Sequence, residues 1–180
     1  ESFEDDPLPT IAHWAFTSQS GEIVFSPQYG YTGGNGLAFF MPATSTGTRS
    51  AVARVNLSGQ SDITLDFMVN EFVDGGKLQV ALSVDGATWH QLVEITLTSG
   101  WRHYSFDLDA FADTRSLTYG EDVHIRFLHS GSNSVFAVDN VRVLNGGDVF
   151  GPSVATLSPA SSAGALPTIT VEFTKPINPS

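Results

Sequence analysis

The run Ile63-Thr64-Leu65-Asp66-Phe67-Met68-Val69-Asn70, followed past Val73-Asp74-Gly75-Gly76 by Leu78-Gln79-Val80-Ala81-Leu82-Ser83-Val84, decides the fold class. Apolar side chains recur at every second position in both runs, which is the period of a strand with one face buried. The glycines between them allow positive backbone dihedrals, so the two runs are expected to pair as an antiparallel hairpin. Asp85-Gly86 repeats the turn and leads to a strand near residues 89–96, and Ser99-Gly100 leads to another over 102–108. Further strands are read at 22–25, 37–41, 51–57, 123–128 and 135–144, while 109–116 has only a short helical flavour and is read as a loop turn. Many strands joined by Gly, Asp and Ser turns, with no helices to cover a parallel sheet, predict an all-β fold: an antiparallel β-sandwich with jelly-roll topology.

The segment Val135-Phe136-Ala137-Val138-Asp139-Asn140-Val141-Arg142-Val143 adds a chemical constraint. Asp139 shares its alternation parity with Val135, Ala137, Val141 and Val143, so a regular strand that buries those aliphatics buries the carboxylate too. An unpaired buried carboxylate costs several kcal/mol, about as much as a domain's margin of stability, so Asp139 needs a partner. A cation also touched by the acidic Ser2-Phe3-Glu4-Asp5-Asp6 segment would serve, and so would backbone N–H groups.

Composition narrows the function classes. The chain has 180 residues, 41% hydrophobic, with 8 Lys and Arg against 19 Asp and Glu and a net charge of -11. That size supports a full core, and that charge opposes neutralising the phosphates of nucleic acid or an anionic membrane surface. The absence of cysteine excludes disulfides, thiolate metal sites and cysteine catalysis. No apolar run is long enough for a membrane helix, and Glu1 without a signal peptide predicts a processed or excised piece. Composition changes at Asn145-Gly146-Gly147-Asp148, which sets the expected domains at 1–147 and 148–180.

The five histidines lack H-x-H or H-x-x-x-H spacing, and none of the hydrolase, metalloprotease or phosphate-loop motifs occurs. Scattered carboxylates such as Asp66, Glu71 and Glu94 are read as solvated faces and turns rather than a glycosidase pair. Carbohydrate binding needs aromatic platforms beside amides and carboxylates. Tyr29, Tyr31 and Tyr119, set among Gly and polar residues, are the candidates, with Asp66, Asn70 and Gln79 as polar partners. Trp14, Trp89 and Trp101 are read as core or sheet-edge packing.

Several pieces in order carry a family likeness: Ser2-Phe3-Glu4, Gly33-Gly34-Asn35-Gly36-Leu37-Ala38, Ser83-Val84-Asp85-Gly86-Ala87-Thr88-Trp89, Trp101 with Tyr104-Ser105-Phe106-Asp107-Leu108, and Ala137-Val138-Asp139-Asn140-Val141. With them the first 145 residues resemble bacterial extracellular jelly rolls of the cleaved-adhesin or choice-of-anchor type, related in layout to MAM domains and calcium-containing carbohydrate-binding modules. Residues 152–160 and 167–177 resemble the opening strands of a bacterial Ig-like domain. The resemblance implies an extracellular or cell-surface setting beside Ig-like neighbours. It also implies one structural calcium held by Glu4 and Asp139, with oxygens of the Gly34-Asn35-Gly36 loop completing the shell, a hard-cation donor set. The expected function is a non-catalytic, calcium-stabilised binding or adhesion module whose partner is a carbohydrate or a surface protein. The alternatives are a carbohydrate-binding module attached to a polysaccharide-degrading enzyme, and a spacer.

Overall fold

The computed structural model describes residues 14–73, 75–96 and 100–145, together with the backbone of two strands at 154–160 and 168–173. Residues 1–145 and 146–180 form two separate units. In the first lie β1 (Trp14–Ser18), β2 (Glu22–Ser26), β3 (Gly36–Met41), β4 (Thr48–Val55), β5 (Thr64–Val73), β6 (Gly76–Ser83), β7 (His90–Ile95), β8 (Arg102–Asp107), β9 (Val123–Gly131) and β10 (Ser134–Leu144). A front sheet runs β1-β4-β9-β6-β7 and a back sheet runs β2-β3-β10-β5-β8. All the ladders are antiparallel. The architecture is the jelly-roll sandwich expected from the alternation.

The expected hairpin between β5 and β6 does not form. β5 pairs with β8 and β10 in the back sheet, and β6 pairs with β7 and β9 in the front sheet. Side by side, Leu65, Phe67 and Val69 would line one face together with Leu78, Val80 and Leu82, leaving both sets uncovered. Crossing between sheets sets the two rows face to face, and all six are buried. Each such burial contributes roughly 1.5–3 kcal/mol. The buried Glu71 fixes the crossing by accepting the N–H groups of Gly75 and Gly76, each at 3.2 Å.

Two local readings are corrected. Residues 108–113 form a short helix, α1 (Leu108–Asp113), capped by Asp107, whose Oδ1 accepts the Ala110 N–H at 2.9 Å. Leu108 and Ala112, one turn apart, are its buried face, so the helical flavour was real and the loop reading is overturned. β1 was not read at all, because five residues offer only Trp14 and Phe16 as an alternating signal; their rings stack at 6.2 Å.

The alternation through Asp139 is broken by a bulge. Asp139 opposes Met68 and Arg142 opposes Asp66, so three steps on β10 match two on β5. Asn140 takes up the extra residue at φ 50. Phe136, Val138 and Val141 belong to the core, whereas Asp139 sits with Ala137 on the outer face of the back sheet. Asp139 is buried there all the same, 1% exposed.

At the opposite end of the front sheet the interior is polar. Arg49, His129 and Ser134 are all fully buried; Arg49 Nη1 lies 3.1 Å from His129 Nδ1, and His129 Nε2 lies 2.9 Å from Ser134 Oγ. Arg49 also donates to the Ser20 carbonyl. Burial, and then the neighbouring Arg49 charge, push the His129 imidazole down to about 4. In the second unit β11 (Val154–Ala160) and β12 (Thr168–Phe173) pair antiparallel.

Candidate functional site

Sequence reasoning placed a cation clasp at Glu4, Asn35 and Asp139. Glu4 lies outside the described residues. Asp139 Oδ2 accepts the Tyr31 N–H at 2.7 Å and Oδ1 accepts the Asn140 N–H at 2.6 Å. Both carboxylate oxygens of Asp139 thus accept backbone N–H groups. The loop from Tyr29 to Gly36 is drawn tight against it. A Cβ on Gly30 would stand 1.7 Å from the Gly34 carbonyl oxygen and one on Gly36 would stand 2.0 Å from that of Tyr29, so only glycine fits at either place. Asn35 lies half-buried within this loop. No group of three His, Cys, Asp or Glu able to hold a metal occurs among the described residues.

The same loop carries two of the three tyrosines read as ligand candidates, and the structure brings them into one aromatic group. Tyr29 meets Phe40 at 5.1 Å and Phe72 at 5.0 Å, while Tyr31 meets Trp101 at 5.5 Å. Phe72 closes the group on Trp101 at 6.2 Å. All four contacts are edge-to-face, the arrangement favoured by the ring quadrupoles. Tyr31 and Phe72 remain 43% and 41% exposed.

Tyr119 is elsewhere. Its hydroxyl donates to the Leu108 carbonyl at 2.5 Å, beyond the opposite end of β5, about 30 Å along the strand from Phe72. Burial, followed by the charges of Asp109, Asp107 and Asp113, pushes this hydroxyl up to about 12. The proposed polar partners also separate. Asp66 and Asn70 lie on the back sheet and are buried, Asp66 Oδ1 standing 3.2 Å from His103 Nε2, whereas Gln79 lies on the front sheet.

The outer face of the front sheet holds a second constellation, of which sequence reasoning had singled out only Gln79 for a ligand role. Ile125 and Phe127 point into the core, so His124 and Arg126 between and beside them point outward. The Arg126 guanidinium lies over the Trp89 ring, 4.1 Å from its centroid, and Trp89 meets His124 at 6.4 Å. Arg126 Nη2 reaches Gln79 Oε1 at 3.5 Å, and Gln79 donates to Gln91 Oε1 at 2.7 Å. Trp89 is presented by the β6–β7 turn, which Asp85 ties by accepting from Ala87 N–H at 2.8 Å and Thr88 N–H at 2.6 Å. Those two bonds, Thr88 first, hold the Asp85 carboxyl well below the usual carboxylate range. The pair Arg54–Asp122 at 2.7 Å and the pair Lys77–Glu94 at 2.6 Å border the face. The available signal was parity: in His124-Ile125-Arg126-Phe127 a cation alternates with core residues, and a cation on a sheet face needs a partner.

The arrangement pairs a half-buried indole with amides and a guanidinium, groups that stack on sugar C–H faces and bind hydroxyls. Comparison with solved structures bears on the fold. The chain is similar to TmCBM61 in complex with β-1,4-galactotriose (TM-score 0.56, 12% identity, covering 74% of this chain and 88% of that one). It is similar to the family 11 carbohydrate-binding module of the cellulosomal cellulase Lic26A-Cel5E of Clostridium thermocellum (TM-score 0.54, 18% identity, 82% and 96%). An exo-β-agarase matches with TM-score 0.59 and 14% identity over 82% of this chain but only 24% of its own. No protein-family model matches the sequence, nor does any curated protein sequence. Two of these three neighbours are carbohydrate-binding modules, and the likeness is one of β-sandwich fold. No helix among the described residues is long and apolar enough to cross a membrane.

Proposed function

We propose that residues 1–145 are a carbohydrate-binding module and that its sugar lies on the outer face of the front sheet. The observation that carries this reading is the Trp89, Arg126, Gln79 and Gln91 constellation on a five-stranded face. The fold likeness to binding modules supports a role in binding rather than catalysis, and it favours the carbohydrate alternative over adhesion to a surface protein. In this reading the module serves an extracellular protein that acts on or holds polysaccharide, with an Ig-like second unit as its neighbour. Calcium, if bound, would be held by Asp139 with oxygens of the Asn35 loop and Glu4, tying loop to strand as a structural ion.

A second reading has its own observation: Tyr31 and Phe72 expose ring surface at the loop end of the back sheet. Affinity electrophoresis through gels of soluble polysaccharides separates the two. Loss of retardation in Trp89→Ala, with Tyr31→Ala unchanged, is the expected result. The reverse pattern moves the site to the tyrosine loop, and unretarded wild type across galactan, xylan, agarose and mixed-linked glucan sinks the carbohydrate reading.

A further inference from the structure

The charges on the front sheet do not cancel. Arg54 is neutralised by Asp122 and Lys77 by Glu94. Among the described residues Arg126 meets no carboxylate: its partners are the Gln79 amide oxygen, at the long limit of a hydrogen bond, and the face of Trp89. Its Nε–H is buried and has no acceptor. Desolvation alone shifts its pKa, downward, with no acidic neighbour pulling it back up. The other charged groups of the region are engaged elsewhere. Asp85 is taken up by its own turn and Asp122 by Arg54, with His124 beyond it at 3.6 Å. A chain of net charge -11 that leaves one half-buried guanidinium without a counterion, in the middle of a ligand face, has room there for an anion from outside. The guanidinium lies over Trp89, and its terminal Nη1 and Nη2 N–H groups, beyond the one that Nη2 gives Gln79, can make the forked contact that carboxylates and sulfates accept.

We propose that Arg126 selects a sugar unit bearing a single anionic group, a uronate carboxylate or a sulfate ester, on an otherwise neutral glycan. The proposal rests on the carbohydrate reading of this face. The sparseness of the charge follows from the net charge: one local cation captures one anion, whereas a glycan charged on every unit is repelled by the carboxylate surplus.

Matched oligosaccharides test it by calorimetry at low and moderate salt. The probes are xylo-oligosaccharides with and without one glucuronate branch, and galacto-oligosaccharides with and without one sulfate ester. The expected result is a charged member bound about tenfold more tightly than its neutral twin, with the preference shrinking as salt rises. Arg126→Gln should abolish that preference by weakening the charged member about tenfold more than its neutral twin, and Arg126→Lys, which keeps charge without the fork, should retain part of it. Preference for the uronate assigns a carboxylate and preference for the sulfate assigns an ester; either supports the proposal. Equal binding of charged and neutral twins, or equal losses for both in Arg126→Gln, overturns it and leaves the carbohydrate reading standing. Binding of none of the four overturns the proposal, and together with unretarded wild type in all four polysaccharide gels it overturns the carbohydrate reading as well. Melting curves of the variants check that the sheet remains folded.

Discussion

The Asp139 carboxylate receives the Tyr31 main-chain N–H at 2.7 Å across 108 positions of sequence, and so binds the glycine loop to the central strand of the back sheet. It can do so because alternation from Phe136 and Val138 sets Asp139 on the outer side of β10, and the Asn140 bulge then returns Val141 to the core.

Replacing Asp139 by Ala leaves the Tyr31 and Asn140 N–H groups without their acceptor and should cost about 1–3 kcal/mol. Asp139→Asn, which keeps one acceptor, should cost less. Urea unfolding followed by tryptophan fluorescence measures both. Adding chelator to the wild type tests the proposed calcium in the same assay: a bound ion raises the melting point by mass action, and that rise should vanish in Asp139→Ala. Equal stability of wild type and Asp139→Ala without calcium would remove the clasp.

Asn140 holds a left-handed backbone, φ 50, that only Gly, Asn and Asp adopt readily. Asn140→Gly should be close to neutral, whereas Asn140→Val should lose about 1–2 kcal/mol. If Val proves as stable as Gly in thermal melts, the bulge is not where its residue type matters.

His129 supplies a pH dependence. Its folded pKa, about 4, lies below the ordinary 6.5, so between those values the unfolded chain binds the extra proton. Stability is therefore fully present above about pH 6.5 and is lost as pH falls toward 4, by at most about 3 kcal/mol. Denaturation midpoints at pH 7 and pH 4.5 read the loss, and His129→Leu should flatten this part of the profile. An unchanged slope in that variant would assign the acid sensitivity to other groups.

Tyr119→Phe removes the hydrogen bond to the Leu108 carbonyl and should cost about 1 kcal/mol without altering sugar binding. Ultraviolet titration of the wild type should show one tyrosine ionising near 12, absent from the variant. A fall in polysaccharide affinity would restore Tyr119 to the ligand face.

The sandwich was legible because period-two alternation survives in β5, β6, β9 and most of β10. What alternation cannot carry is the identity of the sheet: the turn glycines at 75 and 76 serve a crossing as readily as a hairpin, and only burial of the two rows against each other decides. A single bulge residue is equally silent, so the face of Asp139 was misread although its burial and its need for a partner were not. Tyr29 and Tyr31 were legible as loop aromatics, but their meeting with Phe72 and Trp101 depends on strands far apart in sequence. Arg126 was hidden for the opposite reason. Its parity was plain, and the missing counterion became visible only once Asp122 and Glu94 were seen to be taken by others.

The two strands that complete the sheets come last in the first unit. β9 stands between β4 and β6, and β10 stands between β3 and β5. While the chain is being made, each sheet therefore exists as two halves with bare edges until residues 123–144 have emerged. A ribosome that has finished β8 has made most of the unit and none of its closure. The proposed ligand face on β9 is consequently among the last surfaces to exist, and a chain truncated before it should expose open edges to its neighbours.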